Sequence, residues 1–404
     1  MQSESQKCEI NLIAAGFDEA GKGIRASRQR STVRKRQERK GLNIMPHRIG
    51  FLWERIISEE NCVQAVVEMA KHKSKNKMAV HIREHKERYG KELHEKLSSG
   101  TYQFHKTKNV TIRDSYKGKT RDLQIPTLED QTAQQAWMNV MIPYLMRRSY
   151  YYSCSSIPGA GTARAIRAIK KPMNKRKPPT YAAVTDVKKF YQSCPHWLVR
   201  RNLRRICKDE KVIDFASQCM RAMNASGTGI AIGWPISPWL ANLALTELDF
   251  RLREYYPDTK TARYMDDIVI LGPNRRTVKK AVRFLYRTLR NRALRIKSTW
   301  AVKKTKKDGI KFLSYVFYPR HTLLCKELTM RIVRRMRRVK NNLSVHNARG
   351  VMSYLGILKN MNGFHFRLLY VYPNVNPEQC RRMVSHADSN NRRRNSETGN
   401  LSAA

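Results

Sequence analysis

The sequence predicts an α+β fold of helical blocks interleaved with short strand segments. Three observations predict it. Residues 50–98, from "FLWERIISEENCVQAVVEMAKHK" to "KERYGKELHEKLSSG", place apolar residues at helical spacing. The stretch "YQFHKTKNVTIRDSYKGKTRDLQIP" alternates in character and turns at "KGK", the pattern of a hairpin. Two later apolar strand starts, in "YAAVTDVKKFYQSCP" and "ARYMDDIVILGP", each run into aspartate.

Length and charge set the outer bounds. At roughly 150 residues per domain, 404 residues suggest two or three units. Lysine and arginine number 80 against 32 acids, a net charge of +48. Such a charge repels itself unless a polyanion screens it, which points to nucleic acid and a strongly salt-dependent affinity. No run of about 20 apolar residues suits a membrane span. The N-terminus "MQSESQKCEINLIAAG" lacks the pattern of a signal peptide, so a cytoplasmic location is expected. Eight cysteines lie scattered without metal-ligand spacing, which fits free thiols in a reducing compartment.

The elements follow in order. Residues 1–45 read as a polar, basic arm that orders on RNA or DNA. Gly100 ends the first helical block. After the hairpin, "LEDQTAQQAWMNVMIPYLMRRSYYY" is helical, "SSIPGAGTARAIRAIKK" is a loop feeding a helix, and "PMNKRKPPT" is a linker. A buried strand through Asp186 precedes a helical stretch over 197–225. A turn and a long helix occupy "GTGIAIGWPISPWLANLALTELDFRLREYY". "ARYMDDIVILGP" has strand character on both sides of its aspartates, and a basic amphipathic helix covers 275–293. "GIKFLSYVFYPRHTLLCK" reads as a hairpin and "ELTMRIVRRMRRVKNNL" as a very basic helix. The tail from Pro373 is expected to be loose.

Asp266 and Asp267 are the chemical puzzle, because two adjacent carboxylates in an apolar run repel each other and lose solvent. Asp186 alone reads as a turn or surface carboxylate. The flanked pair does not, since burying both charges uncompensated is too costly. Asp186 on a neighbouring strand would complete a set of hard oxygen ligands suited to Mg²⁺. Two such ions about 3.5–4 Å apart clamp the attacking and leaving oxygens of a phosphoryl transfer.

These residues carry a family resemblance. "YMDD" resembles the Y-x-D-D box of reverse transcriptases, and "TDVKKFYQS" their first catalytic motif. "GWPISPWLAN" resembles the G-x-x-x-S-P motif under the nascent base pair. "LRIKSTWAVKKT" and "GIKFLSYVFYPRHTLL" resemble the last palm motif and the primer-grip hairpin. "KGKTRDLQIPTLEDQTAQQAW" resembles the fingers, and the motifs stand in the family's order over residues about 85–370.

The resemblance implies a right-hand polymerase. Residues 1–45 would be the basic arm, 46–180 fingers with a helical extension, 181–320 palm, 321–372 a helical thumb and 373–404 a flexible basic tail. Asp186 and Asp266 resemble the metal-bridging catalytic carboxylates, with Asp267 their partner and the Val187 carbonyl completing one metal site. The implied cofactor is two Mg²⁺ ions, with Mn²⁺ a substitute. Lys119 and Arg121 match contacts to the incoming triphosphate, and Tyr191 the gate that rejects a ribose 2′-OH. Gly233, Ser237 and Pro238 match the turn that approaches the templating pair. Lys297, Lys303 and Lys304 compete for a general-acid role. Arg331, Arg334, Arg335, Arg337, Arg338 and Lys340 would line the thumb against duplex phosphates. Tyr150, Tyr151, Tyr152 and Phe104 suit core packing better than base stacking.

The implied partners are dNTPs, a structured RNA template, its cDNA product and a cognate non-coding RNA held as a ribonucleoprotein, with a homo-oligomer left open. By subtraction of further domains, the resemblance is nearest to the stand-alone, group II-intron-like and unclassified bacterial enzymes associated with phage defence. Ile232, where many relatives have glutamine, resembles instead the mutagenic enzymes of diversity-generating retroelements. Those usually end the motif in Ser-Gln, whereas this chain has Ser237-Pro238. A non-catalytic RNA-binding module is the alternative of another class.

Overall fold

The computed structural model describes residues 48–113, 118 and 120–401, with side chains described through Asn390. The basic arm, Lys119 and the "NRRRN" side chains therefore lie outside the described residues.

The first helical block is four helices: α1 (Trp53–Ile57), α2 (Glu59–Ala70), α3 (Lys77–Glu84) and α4 (Lys86–Ser98). Ser58 accepts from the Asn61 N–H at 3.3 Å and caps α2, and Asn76 accepts from Ala79 at 3.1 Å and caps α3. The predicted hairpin is β1 (Lys108–Arg113) and β2 (Thr120–Ile125), antiparallel with Ile112 opposite Arg121. Then come α5 (Leu128–Arg148), capped by Thr127, and α6 (Gly161–Met173). β3 (Tyr181–Asp186) leads into a short α7 (Phe190–Ser193).

The helical stretch expected over 197–225 is two helices, α8 (His196–Arg204) and α9 (Glu210–Met223). The break has a purpose: Asp209, just before α9, turns its carboxylate away to accept N–H bonds from Phe51 at 3.1 Å and Trp53 at 3.3 Å, at the start of α1. α10 (Ser237–Tyr255) begins with Pro238 in its first turn, where a missing N–H costs nothing. β4 (Lys260–Tyr264), β5 (Asp267–Gly272) and α11 (Arg275–Arg290) follow.

The remaining chain carries β6 (Val302–Lys304), α12 (Thr305–Asp308), β7 (Ile310–Phe312), β8 (Tyr315–Tyr318) and β9 (His321–Leu324). Beyond them lie α13 (Lys326–Asn341), α14 (Val345–Leu358), α15 (Phe364–Phe366) with a π turn, and α16 (Pro377–Leu401). The central sheet runs β4-β5-β3-β6, and β7-β8-β9 form an antiparallel three-stranded sheet. The expected hairpin at 309–326 thus has one more strand, because Leu313 and Ser314 take positive φ and turn the chain early.

The tail is a second correction. Pro377 opens a helix rather than a loose end. Asn376 accepts from the N–H groups of Glu378 at 2.9 Å and Gln379 at 3.2 Å, Cys380 is fully buried, and Arg349 of α14 pairs with Asp388 at 2.6 Å. The cap and one buried residue do what a long apolar pattern does elsewhere.

The chain forms two compact units. One holds the described residues through Ala165 with Thr185–Ile270 and Lys279–Trp300; the other holds Ile166–Val184, Leu271–Val278 and the residues from Ala301 on. In the first, Trp137, Trp234, Trp239 and Phe190 are buried at its core. Tyr150 and Phe104 serve it as well: Phe104 packs on Phe215 and Trp234, and Tyr150 edge-on to Phe250. The seven described cysteines are free and buried, and burial pushes the Cys62, Cys154 and Cys194 thiols up to about 12, which makes them inert. Among the described residues no helix is long and apolar enough to cross a membrane.

Candidate active site

The two aspartates do not share one environment. β4 ends at Tyr264 and β5 begins at Asp267, so Met265 and Asp266 form the tip of a tight hairpin, with Met265 at φ +53°. Asp266 therefore stands in the turn and Asp267 on the strand, and each is partly buried. The apolar run Ile268 to Leu271 is buried and anchors the tip.

β3 delivers Asp186 to the same place. The N–H of Val187 donates to the Asp266 carbonyl at 3.2 Å, stitching the two aspartate-bearing segments together. On its other side, the Lys297 N–H donates to the Asp186 carbonyl at 3.0 Å and the Lys188 N–H to the Arg295 carbonyl at 2.7 Å. The Lys297 side chain then returns, and its ammonium donates to the Asp186 carboxylate.

The electrostatics match this crowding. Burial pushes the Asp266 carboxyl above its usual range, and the charge of Asp186 adds to the push; Lys297 and Arg121 oppose it. Lys297 is raised above its ordinary value by its hydrogen bond to Asp186 and by the fields of Asp186, Asp266 and Asp267. One lysine thus answers all three carboxylates, and it separates Lys297 from Lys303 and Lys304, which lie on β6 opposite Ala182 and Tyr181.

Tyr191 and Arg121 join this group. The Tyr191 hydroxyl points at the Met265 sulfur, 3.8 Å away. Burial raises its pKa, and it feels Asp266 and Arg121. Tyr191 is held by its own backbone, whose carbonyl accepts from the Ile230 N–H at 2.6 Å. Arg121 is exposed on β2.

The glycine turn docks against that strand. The Gln124 N–H of β2 donates to the Ile232 carbonyl at 2.8 Å. Gly233 has φ +112°, and a Cβ there would lie 2.4 Å from the Gln124 carbonyl oxygen. Only glycine lets the two backbones meet so closely. Gly233→Ala is expected to destabilise by about 2 kcal/mol through clash and backbone strain. Gly227→Ala, at φ +79° with open space around it, carries the strain without the clash. Thermal denaturation of the two variants reads the difference; equal losses would mean the β2 contact is not tight. Ser237 is buried at the start of α10 and donates to the Met223 sulfur at 3.6 Å, so its hydroxyl is spent on packing.

Sequence reasoning missed the device under the tip. Arg263, 1% exposed, donates Nε and Nη2 to Asp249 of α10 at 2.7–3.0 Å. Its Nη1 donates to Asn242 Oδ1 at 3.1 Å and to the Met265 carbonyl at 2.9 Å. The signal was available: an arginine two residues before "MDD" inside an apolar strand needs a buried partner.

The basic helix α13 is amphipathic. Leu328, Ile332, Val333, Met336 and Val339 are buried, while Arg334, Arg337, Arg338 and Lys340 are exposed and Arg331 is partly so. Arg335 departs from the expected face: its guanidinium lies where a Cβ on Gly350 of α14 would sit, 2.7 Å from Nη2. It lies over Gly350 at a helix crossing and is only partly exposed.

As they stand, no group of three or more His, Cys, Asp or Glu side chains among the described residues converges to hold a metal. The donors still suit a hard cation in kind. Asp186 and Asp266 are adjacent carboxylates with a mutual repulsion, and Lys297 already supplies a positive charge against them.

A reverse transcriptase (RNA-dependent DNA polymerase) family model matches residues 105–317, just over half the chain, and the chain belongs to that family. Protein YkfC of Escherichia coli (strain K12) is 27% identical over 180 residues, 42% of this chain and 47% of YkfC. The chain thus spans about half the length of that curated relative. Telomerase from Candida albicans, solved with a TWJ fragment of telomeric RNA, is similar over 60% of this chain and 50% of that one, at 11% identity and TM-score 0.45. Telomerase from Candida tropicalis with the same kind of fragment is similar over 70% of this chain and 58% of that one, at 13% identity and TM-score 0.41.

Proposed function

We propose that this chain is an RNA-directed DNA polymerase whose reacting centre is built by Asp186, Asp266 and Asp267. The observation that carries the reading is the stitching of Asp186 to the Asp266 turn by the Val187 N–H, with Lys297 paired to Asp186. Within the family's right-hand plan, residues 46–180 serve as fingers, 181–320 as palm and 321–372 as thumb.

In the reaction, the 3′-oxygen of a primer attacks the α-phosphorus of a dNTP in line. A new O–P bond forms, the bond to the bridging oxygen breaks, and pyrophosphate leaves. Two divalent cations, held by Asp186, Asp266 and the Val187 carbonyl, would supply Lewis-acid polarisation and neutralise the developing charge. The Lys297 ammonium donates to the Asp186 carboxylate and keeps it in place. Arg121, within the field of Asp266 and Tyr191, would take triphosphate oxygens; that proximity to the aspartates supports the role. Gly233 lets the template-side turn approach β2. The exposed cations of α13 suit duplex phosphates without reading sequence.

The test is incorporation of dNTPs on a primed RNA template, present with Mg²⁺ and absent with a chelator. Failure under every template and divalent ion tried would leave an RNA-binding module. A second expectation concerns Tyr191, whose ring stands beside the Met265–Asp266 turn. Tyr191→Ala is expected to raise ribonucleotide incorporation by about tenfold to a hundredfold relative to dNTPs, the scale of a lost steric contact in a specificity pocket. Unchanged discrimination would remove Tyr191 from the gate. For biology, we infer that a bacterial, cytoplasmic enzyme copies a cognate non-coding RNA in phage defence. Sequencing the RNA that copurifies and the cDNA it yields tests that; a template repeat of a variable gene would point to diversification instead.

A further inference from the structure

Four arginines converge on one carboxylate away from the aspartates. Glu247 of α10, with 13% of its side chain exposed, pairs with Arg201 at 2.8 Å, Arg205 at 3.0 Å, Arg251 at 2.8 Å and Arg292 at 3.0 Å. Burial works against the Glu247 charge, and the four guanidiniums outweigh it and hold the carboxyl below its usual range. Among the described residues Glu247 is the carboxylate these four share, so three positive charges remain unanswered. Arg292 shows the strain, lowered by burial and by repulsion from Arg201 and Arg251.

The α8 face sorts its charges. Arg200 and Arg204 are matched by Asp214 and Glu210 of α9. One helical turn apart on the other stripe stand Trp197, Arg201 and Arg205. Trp197 is 47% exposed, and the Arg201 guanidinium lies over its ring at 5.3 Å. An exposed indole beside surplus guanidiniums is a stacking platform with phosphate partners attached.

We propose that the Glu247 arginine cluster and Trp197 form a second nucleic-acid site, which takes a single-stranded RNA segment by phosphate pairing and base stacking. Arg205, Arg251 and Arg201, each two-fifths to half exposed, reach successive phosphates, while buried Arg292 keeps Glu247 paired. An acidic protein segment would use the charges and leave the indole idle. The site shares no residue with the polymerase centre, so its loss and the loss of that reading are separable.

Fluorescence anisotropy of a labelled 12-nucleotide single-stranded RNA, titrated with the full chain over a range of KCl, tests the proposal. Arg205→Ala with Arg251→Ala leaves Glu247 paired to Arg201 and Arg292. It is expected to flatten the slope of log K against log salt by about 1.4, two phosphate contacts' worth for a single strand. Trp197→Ala, which removes an exposed ring, is expected to weaken binding by about fivefold to a hundredfold. It stands as the test if the double variant does not fold. The matched pair Lys75→Ala with Lys91→Ala removes the same charge from exposed positions elsewhere. An equal loss there, an unchanged slope in the arginine variant, unchanged affinity in Trp197→Ala, or equal competition by a polyglutamate peptide would each overturn the site.

Discussion

Asp266→Asn is expected to abolish nucleotide addition and at the same time raise the melting temperature of the metal-free protein. The catalytic half follows from chemistry. A carboxylate that neutralises a bound cation beside the reacting phosphate contributes several kcal/mol, roughly a thousandfold or more in rate. The stability half follows from the sign of the shift. Burial, then Asp186, holds the Asp266 carboxyl above its ordinary value. The folded state therefore binds a proton that the unfolded chain releases between the two values. Stability from this group is full below the ordinary carboxylate pKa and lost as pH rises through the raised one. At neutral pH the charge is a cost, and asparagine removes it without changing shape. A rise of roughly 1–2 °C is the scale on which about 1 kcal/mol moves a chain of this length. Added Mg²⁺ should raise the wild-type melting temperature by mass action and leave Asp266→Asn nearly unmoved. A variant that melts lower in both conditions would make Asp266 a structural residue.

The same residues show what the sequence made legible. Periodicity located most of the helices, because each buries one face, and alternation with a turn signal located the β1–β2 hairpin; both patterns are local. The order of the aspartate motifs anticipated that Asp186 and Asp266 would meet, although they are 80 residues apart. What stayed hidden depends on partners distant in sequence. Asp209 leaves its own helix to serve α1, which splits the predicted stretch. Arg335 reads as one more cation on a basic helix until Gly350 gives it a seat. Asn376 caps a tail whose composition says loop. Spacing alone does not say which of three lysines meets Asp186; the antiparallel bridge that sets Ile296 opposite Val187 brings Lys297 there.

Arg263 carries the largest expected effect on stability. Arg263→Met keeps the volume and removes the charge, leaving Asp249, 3% exposed, as an unpaired buried carboxylate. Breaking a buried pair from one side costs about 3–5 kcal/mol, whereas replacing both partners with apolar residues is often near neutral. The double variant Arg263→Met with Asp249→Leu should therefore recover most of the loss in a denaturant titration. Activity should not recover with it. The Arg263 Nη1 bond to the Met265 carbonyl is what holds a non-glycine residue at φ +53°, and no apolar pair restores that donor. With the tip released, Asp266 loses its register to Asp186 and the rate should stay down by about a hundredfold, the effect of a misplacement near 1 Å. A double variant that regains both stability and activity would show that the pair serves the fold alone. One that regains stability only separates the two roles of a single guanidinium: two of its nitrogens satisfy Asp249, and the third holds the turn that presents the carboxylate.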